Sequence, residues 1–188
     1  RMLMKKSKWL AITGLTVVSA LILAACGSSS ASNTYSYVYI VDSDTLDYVN
    51  SNRATTSDVA SNLVDGLLEN DKYGNLVPSI AEDWTVSKDG LTYTYKLRKD
   101  AKWYTSDGEE YESVKAQDFV TGLKHAADEK SEALPIVQSS IKGLDAYVKG
   151  ESNDFSTVGV KAVDDYTVEY TLNQPESYWN SKTTMGIL

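Results

Sequence analysis

Residues 81–103 read AEDWTVSKDGLTYTYKLRKDAKW, and the pattern on either side of Asp89-Gly90 decides the fold. Tyr93, Tyr95 and Leu97 alternate with Thr92, Thr94 and Lys96, which sets an apolar row and a polar row on opposite faces of a strand. An Asp-Gly pair between two strand-like runs is a strong hairpin signal, because both residues tolerate the left-handed backbone that tight antiparallel turns need. The stretch predicts a ribbon with one face in a core and the other in water.

Downstream, VGVKAVDDYTVEYTL (158–172) sets two short strands around Asp164-Asp165, with Val168, Tyr170 and Leu172 facing one way. Between the hairpins, Ser113 is placed to cap a helix carrying Val114, Phe119, Val120 and Leu123. Val137, Ile141, Leu144 and Val148, spaced by four, three and four, predict another helix ending at Gly150. Upstream, TTSDVASNLVDGLLEND (55–71) puts Val59, Leu63, Val64, Leu67 and Leu68 on one helical face despite Gly66, with Thr56 or Ser57 as N-cap. DSDTLDYVNSN (42–52) is turn-rich, and YSYVYIV (35–41) predicts a strand buried on both faces. The order strand, helix, hairpin, helices, hairpin, without an internal repeat, implies an α+β or mixed α/β architecture.

The N-terminus obeys a different logic. Arg1, Lys5, Lys6 and Lys8 precede an uncharged run of 17 residues, Trp9 to Ala25. Basic, then apolar, then small is the layout of a secretory signal peptide, here residues 1–25, and the run is marginal for a retained membrane span, which needs about 20 residues. Leu23-Ala24-Ala25-Cys26 resembles the lipobox of bacterial lipoproteins, in which the cysteine becomes the first mature residue and its sulfur carries a diacylglycerol. Lipidation of Cys26 accounts for a lone thiol, and two acyl chains suffice for stable anchoring. The competing reading is an inert buried cysteine. Residues 26–34, rich in serine, form a flexible tether.

Four of the 18 basic residues and none of the 26 acidic ones lie in that leader, so the remaining 163 residues carry a formal charge of −12. Such a surface repels nucleic acid and anionic head groups, which excludes both as partners through a basic face. The length suits one ordinary domain. Arg1 ahead of Met2, and the apolar ending TTMGIL (183–188), point to an incomplete reading frame.

No motif assigns catalysis, a metal or a cofactor. Asp42, Asp44 and Asp47 suggest a calcium loop, but the sixth position from Asp42 is Asp47 where that loop requires glycine, and no glutamate closes it. His125, the sole histidine, has no G-x-S-x-G or H-E-x-x-H context and reads as a helix-surface residue. Glu109-Glu110 and Asp164-Asp165 are sequence neighbours that point apart, unlike the facing carboxylates of a glycosidase.

Together, Ala81–Trp84, Ser87–Thr94 and Leu97–Trp103 resemble the signature of the peptide-binding family of bacterial extracellular solute-binding proteins, family 5, which serve oligopeptide and dipeptide ABC importers. DTLD (44–47), LVDGLLENDKYGNLVPSIAEDW (63–84), AQDFV (116–120) and VKAVDDYTVEYTL (160–172) extend the resemblance over nearly all the mature chain, and the lipobox makes it most similar to streptococcal oligopeptide-binding lipoproteins. The resemblance implies a two-lobed, periplasmic-binding-protein-like (type II) fold that encloses an extended peptide held by main-chain hydrogen bonds. It implies a main lobe beginning at 35–62 and resuming at 175–188, an accessory domain at 63–174, and peptide contacts at Asp42, Ser43 and Asp44. An acidic partner for the peptide's amino group would lie beyond Leu188. Trp84 and Trp103 are expected to pack rather than touch ligand. The implied setting is the extracellular face of a Gram-positive cell membrane, lipid-anchored, with ABC permease subunits and oligopeptides as partners. A surface peptide-signal receptor or adhesin shares that ligand chemistry, and a secreted hydrolase is the remaining alternative.

Overall fold

The computed structural model describes residues 36, 38 and 41–188. Helix α1 (Ala54–Ala60) precedes strands β1 (Leu68–Asn70), β2 (Leu76–Pro78), β3 (Ala81–Val86), β4 (Thr92–Leu97), β5 (Lys102–Tyr104) and β6 (Glu110–Ser113). Helices α2 (Ala116–Asp128) and α3 (Leu144–Val148), strands β7 (Val160–Asp164) and β8 (Thr167–Thr171), and helix α4 (Trp179–Lys182) follow. The leader, Cys26, the tether and most of the strand expected over 35–41 lie outside the described residues.

The two hairpins read from the tyrosine pattern join into one antiparallel sheet in the order β3-β4-β8-β7. Tyr93 stands opposite Tyr170 and Tyr95 opposite Val168, so the apolar rows of the two hairpins share a face. All four residues are buried, with Leu97 and Leu172 extending the row. Helix α2 covers this face with Leu123, Ala126 and Ala127, and Trp179 of α4 closes it, its ring centroid 5.5 Å from that of Tyr170 and 6.0 Å from that of Tyr93. A buried aromatic side chain removes about 150–250 Å² from water, so this cluster is the energetic centre of the domain. The result is the mixed α/β architecture expected.

Three helix readings are corrected. The pattern from Val59 to Leu68 is not one helix: α1 stops at Ala60, and Leu63 is 73% exposed. Leu67 and Leu68 leave the helical path to make sheet-like bonds, Ala81 N–H donating to Leu67 O and Leu68 N–H to Thr183 O. Gly66 permits this, because a Cβ there would meet Thr183 O at 2.6 Å. Arg53 rather than Thr56 or Ser57 is the N-cap, and Thr56 is buried inside the helix.

Ser113 ends β6 instead of capping α2, whose N-cap is Lys115. The Asp118 carboxylate accepts from the Lys115 N–H at 2.9 Å, the half of a capping box that an acidic residue at the third position provides. The spacing of Val137, Ile141, Leu144 and Val148 is interrupted at Gly143, which adopts φ +72 between a bridge of Ile141 to Leu172 and the start of α3. Val137, Ile141 and Leu144 are buried all the same. Two ribbons and α4 were absent from the sequence reading: β1–β2 turns at Asp71, whose Oδ1 accepts from the Tyr73 and Asn75 N–H groups, and β5–β6 turns at Asp107-Gly108.

Candidate functional site

The loop 41–53 carries the residues singled out for ligand contact, and short polar side chains set its path. Ser43 Oγ donates to Thr45 O (2.6 Å) and lies 2.8 Å from Thr56 Oγ1. Thr56 Oγ1, whose one proton serves the shorter contact to Ser43 Oγ, also lies 3.3 Å from Thr45 O and accepts from Ser51 Oγ (3.3 Å). Thr45 Oγ1 accepts from Asp47 N–H, and Asp47 Oδ1 from Asn50 N–H. Hydroxyl and carboxylate groups commonly direct turns in this way.

From Asp44 to Arg53 the loop is also tied to the domain that carries the sheet. Arg53 Nη1 is 3.1 Å from Asp44 Oδ2 and its Nη2 is 3.8 Å from Glu132 Oε1. Glu132 N–H donates to Asn50 O, and Ser131 Oγ donates to Val49 O at 2.7 Å. His125 Nε2 lies 3.0 Å from Asp47 Oδ2. That hydrogen bond, with the nearby charges of Asp47, Glu129 and Asp128, raises the imidazole pKa above its ordinary value. His125 therefore sits on the helix surface, as read, with a partner that the sequence did not disclose. Asp42 and Asp44 are exposed and Ser43 is half-buried.

Two cavities, of about 420 and about 440 Å³, open beside this loop and share Tyr48, Val64 and Ile187 in their walls. Both fall in the size range of small-molecule sites. Tyr48 is the residue that sequence reasoning missed. Burial, reinforced by the charges of Asp47 and Asp118, holds its phenol above the usual tyrosine range, and its ring packs on Gly186. The larger cavity is walled by Val49, Leu63, Trp103, Tyr104 and Phe119. Trp103 is 37% exposed and donates from Nε1 to Asp118 Oδ2 at 2.9 Å, while Trp84 packs half-buried against the core. Among the described residues no cluster of three or more His, Cys, Asp or Glu is placed to hold a metal ion, and no helix is long and apolar enough to cross a membrane.

An acidic chain whose two tyrosine-bearing hairpins join in one sheet of a mixed α/β fold agrees with the resemblance drawn from residues 81–103. The chain matches the family described as "Bacterial extracellular solute-binding proteins, family 5 Middle" over residues 75–187. It belongs to that family. This family-5 chain is 66% identical to oligopeptide-binding protein AliA of Streptococcus pneumoniae over 98% of its own length and 29% of AliA's. It is similar to the substrate-binding domain of an oligopeptide ABC transporter from Bacillus anthracis, with a TM-score of 0.67 and 38% identity over 74% of this chain and 26% of that one. Listeria monocytogenes OppA bound to peptide gives a TM-score of 0.66 and 33% identity, covering 73% and 26%. The family-5 chain thus spans 29% of the curated relative it matches.

Proposed function

We propose that the chain is one part of an oligopeptide-binding lipoprotein of an ABC importer, which captures extracellular peptides in a hinged cleft and delivers them to membrane permease subunits. The observation that carries the reading is the 66% identity to an oligopeptide-binding protein across 98% of the chain. In this reading residues 35–62 and 175–188 belong to the main lobe and 63–174 to the accessory domain. Asp42, Ser43 and Asp44 offer main-chain groups to an extended peptide, as an added strand does, which gives affinity without reading side chains. Closure of the lobes on ligand is a population shift of a hinge. Residues 1–25 direct export, and Cys26 carries the diacylglycerol that holds the protein on the outer face of a Gram-positive membrane. No catalytic role is assigned to any residue.

Calorimetric titration with a pool of short synthetic peptides tests the reading. A chain extended to the length of its relatives binds, whereas the 188-residue chain, holding one wall of the cleft, binds weakly or not at all. Failure of the extended chain to bind any peptide overturns the proposal. Mass spectrometry of material from the native host tests the anchor: a bare Cys26 thiol removes it.

A further inference from the structure

Residues 42–44 line neither cavity, so the larger one, of about 440 Å³, is not explained by the contacts proposed for them. Its wall keeps large apolar side chains in water: Leu63 is 73% exposed and Tyr104 61%, beside Trp103 and Phe119. Apolar groups gathered on one surface, rather than scattered, mark a face that something covers. Gly122 of α2 adds room in the same wall, with nothing within 4 Å of a Cβ. Of the three charged side chains there, two are spent locally. Asp118 accepts from Lys115 N–H and from Trp103 Nε1, both at 2.9 Å, and Lys102 Nζ donates to Ser113 Oγ at 2.8 Å. The third, Asp65, is exposed. A short peptide brings a charged group at each end, and burying a charge without a partner is costly, so this wall favours an apolar occupant.

The neighbouring segment shows from which side that occupant comes. Trp179 seats between Tyr93 and Tyr170, Gly186 lies against the Tyr48 ring, and Ile187 and Leu188, both buried, form part of the cavity wall. Residues 179–188 thus already run across this surface, and whatever follows Leu188 in a longer chain sets out from it. We propose that the larger cavity is an intramolecular docking site: in a chain of the relatives' length, the polypeptide that follows Leu188 lays apolar side chains against Leu63, Trp103, Tyr104 and Phe119. Aromatic and apolar side chains at the centre with polar groups at the rim are the usual composition of such a joint. The proposal rests on the reading of this chain as one part of a longer binding protein, and adds to it the surface on which the parts join.

A reporter thiol tests it. Leu63→Cys in a Cys26→Ser background places the thiol at the exposed rim, and its reaction with a maleimide is followed by mass spectrometry of the tryptic peptide that contains position 63. The 188-residue chain is expected to label freely, and a chain extended to the length of its relatives at least about tenfold more slowly, because labelling then waits on local opening. Gly122→Leu gives a second readout. In the 188-residue chain Tm holds or rises, since leucine is the better helix former and has space there, whereas in the extended chain Tm falls because the side chain enters volume that the docked segment fills. Equal labelling rates in the two chains, or an equal response of Tm to Gly122→Leu, overturn the proposal. So does slower labelling of the 188-residue chain on adding the pool of synthetic peptides, which makes a peptide the occupant, or on raising the protein concentration, which makes it a second copy. Protection in an extended chain that binds no peptide upholds the docking site and overturns the peptide-binding reading; peptide binding without protection does the reverse.

Discussion

His125 Nε2 stands 3.0 Å from Asp47 Oδ2, so the one histidine of the chain joins helix α2 to the loop that carries Asp42, Ser43 and Asp44. The imidazole pKa is raised in the folded state, chiefly by this bond. A raised folded pKa means that protons bind the folded state more tightly, so the pair's stabilisation is fully present below the unfolded value of about 6.5 and fades as pH climbs through the higher folded one. Both partners are solvent-exposed, and such pairs contribute about 0.2 to 1 kcal/mol. Asp47→Asn is expected to lower the His125 pKa in an NMR titration and to remove the small excess of urea stability at mildly acidic over alkaline pH.

Lys182 and Glu176 form the least exposed ion pair among the described residues, 2.9 Å apart, with Lys182 Nζ also donating to Ser140 Oγ at 2.6 Å. Removing one partner leaves a buried charge unpaired. Lys182→Met is expected to cost about 3–5 kcal/mol, and Lys182→Met combined with Glu176→Leu to recover most of it. A double-mutant cycle in urea checks this through the sign and size of the coupling.

Trp179 is fully buried against Tyr93 and Tyr170. Trp179→Ala opens a cavity at the centre of the core and is expected to destabilise by about 3–5 kcal/mol, whereas Trp179→Phe, which keeps a ring there, costs less. Equilibrium unfolding of the two variants distinguishes them.

Gly143 and Gly122 should respond to alanine with opposite signs. At Gly143, φ is +72 and a Cβ would meet Thr157 O at 2.7 Å, so Gly143→Ala carries at least the ~1–2 kcal/mol of a left-handed residue plus a backbone clash. Gly122 lies inside α2 with nothing within 4 Å of a Cβ, and Gly122→Ala is expected to stabilise by about 0.5–1 kcal/mol. Thermal melts of both variants decide it.

Tyr93, Tyr95, Val168 and Tyr170 were legible because a period of two and a short turn are local properties, and the hairpins they predict pair as expected. Leu67 and Leu68 were not, since Leu67 is bonded by Ala81 and Leu68 by Thr183, the latter more than a hundred residues away, and these contacts override a convincing helical spacing. Val137 to Val148 failed for a subtler reason. The apolar residues point inward as read, but Gly143 turns the backbone and reaches the same core without a continuous helix. The candidate site shows the same division. Asp42, Ser43 and Asp44 were singled out by resemblance alone and line neither cavity, whereas a run of hydroxyl residues discloses the capacity to bond but not that Thr56 meets Ser43 or that Tyr48 walls two cavities. Those partnerships are non-local, and a hydroxyl near a helix start reads first as a cap.

β4 sits between β3, its hairpin neighbour, and β8, which follows about 70 residues later in the chain. Emerging from the ribosome N-terminus first, the β3–β4 ribbon is made early, but its inner edge and its tyrosine row have no cover until Thr167–Thr171 arrives. Completion of the sheet therefore waits on synthesis of that interval, and until β8 pairs with it the free edge of β4 is a template for any other strand.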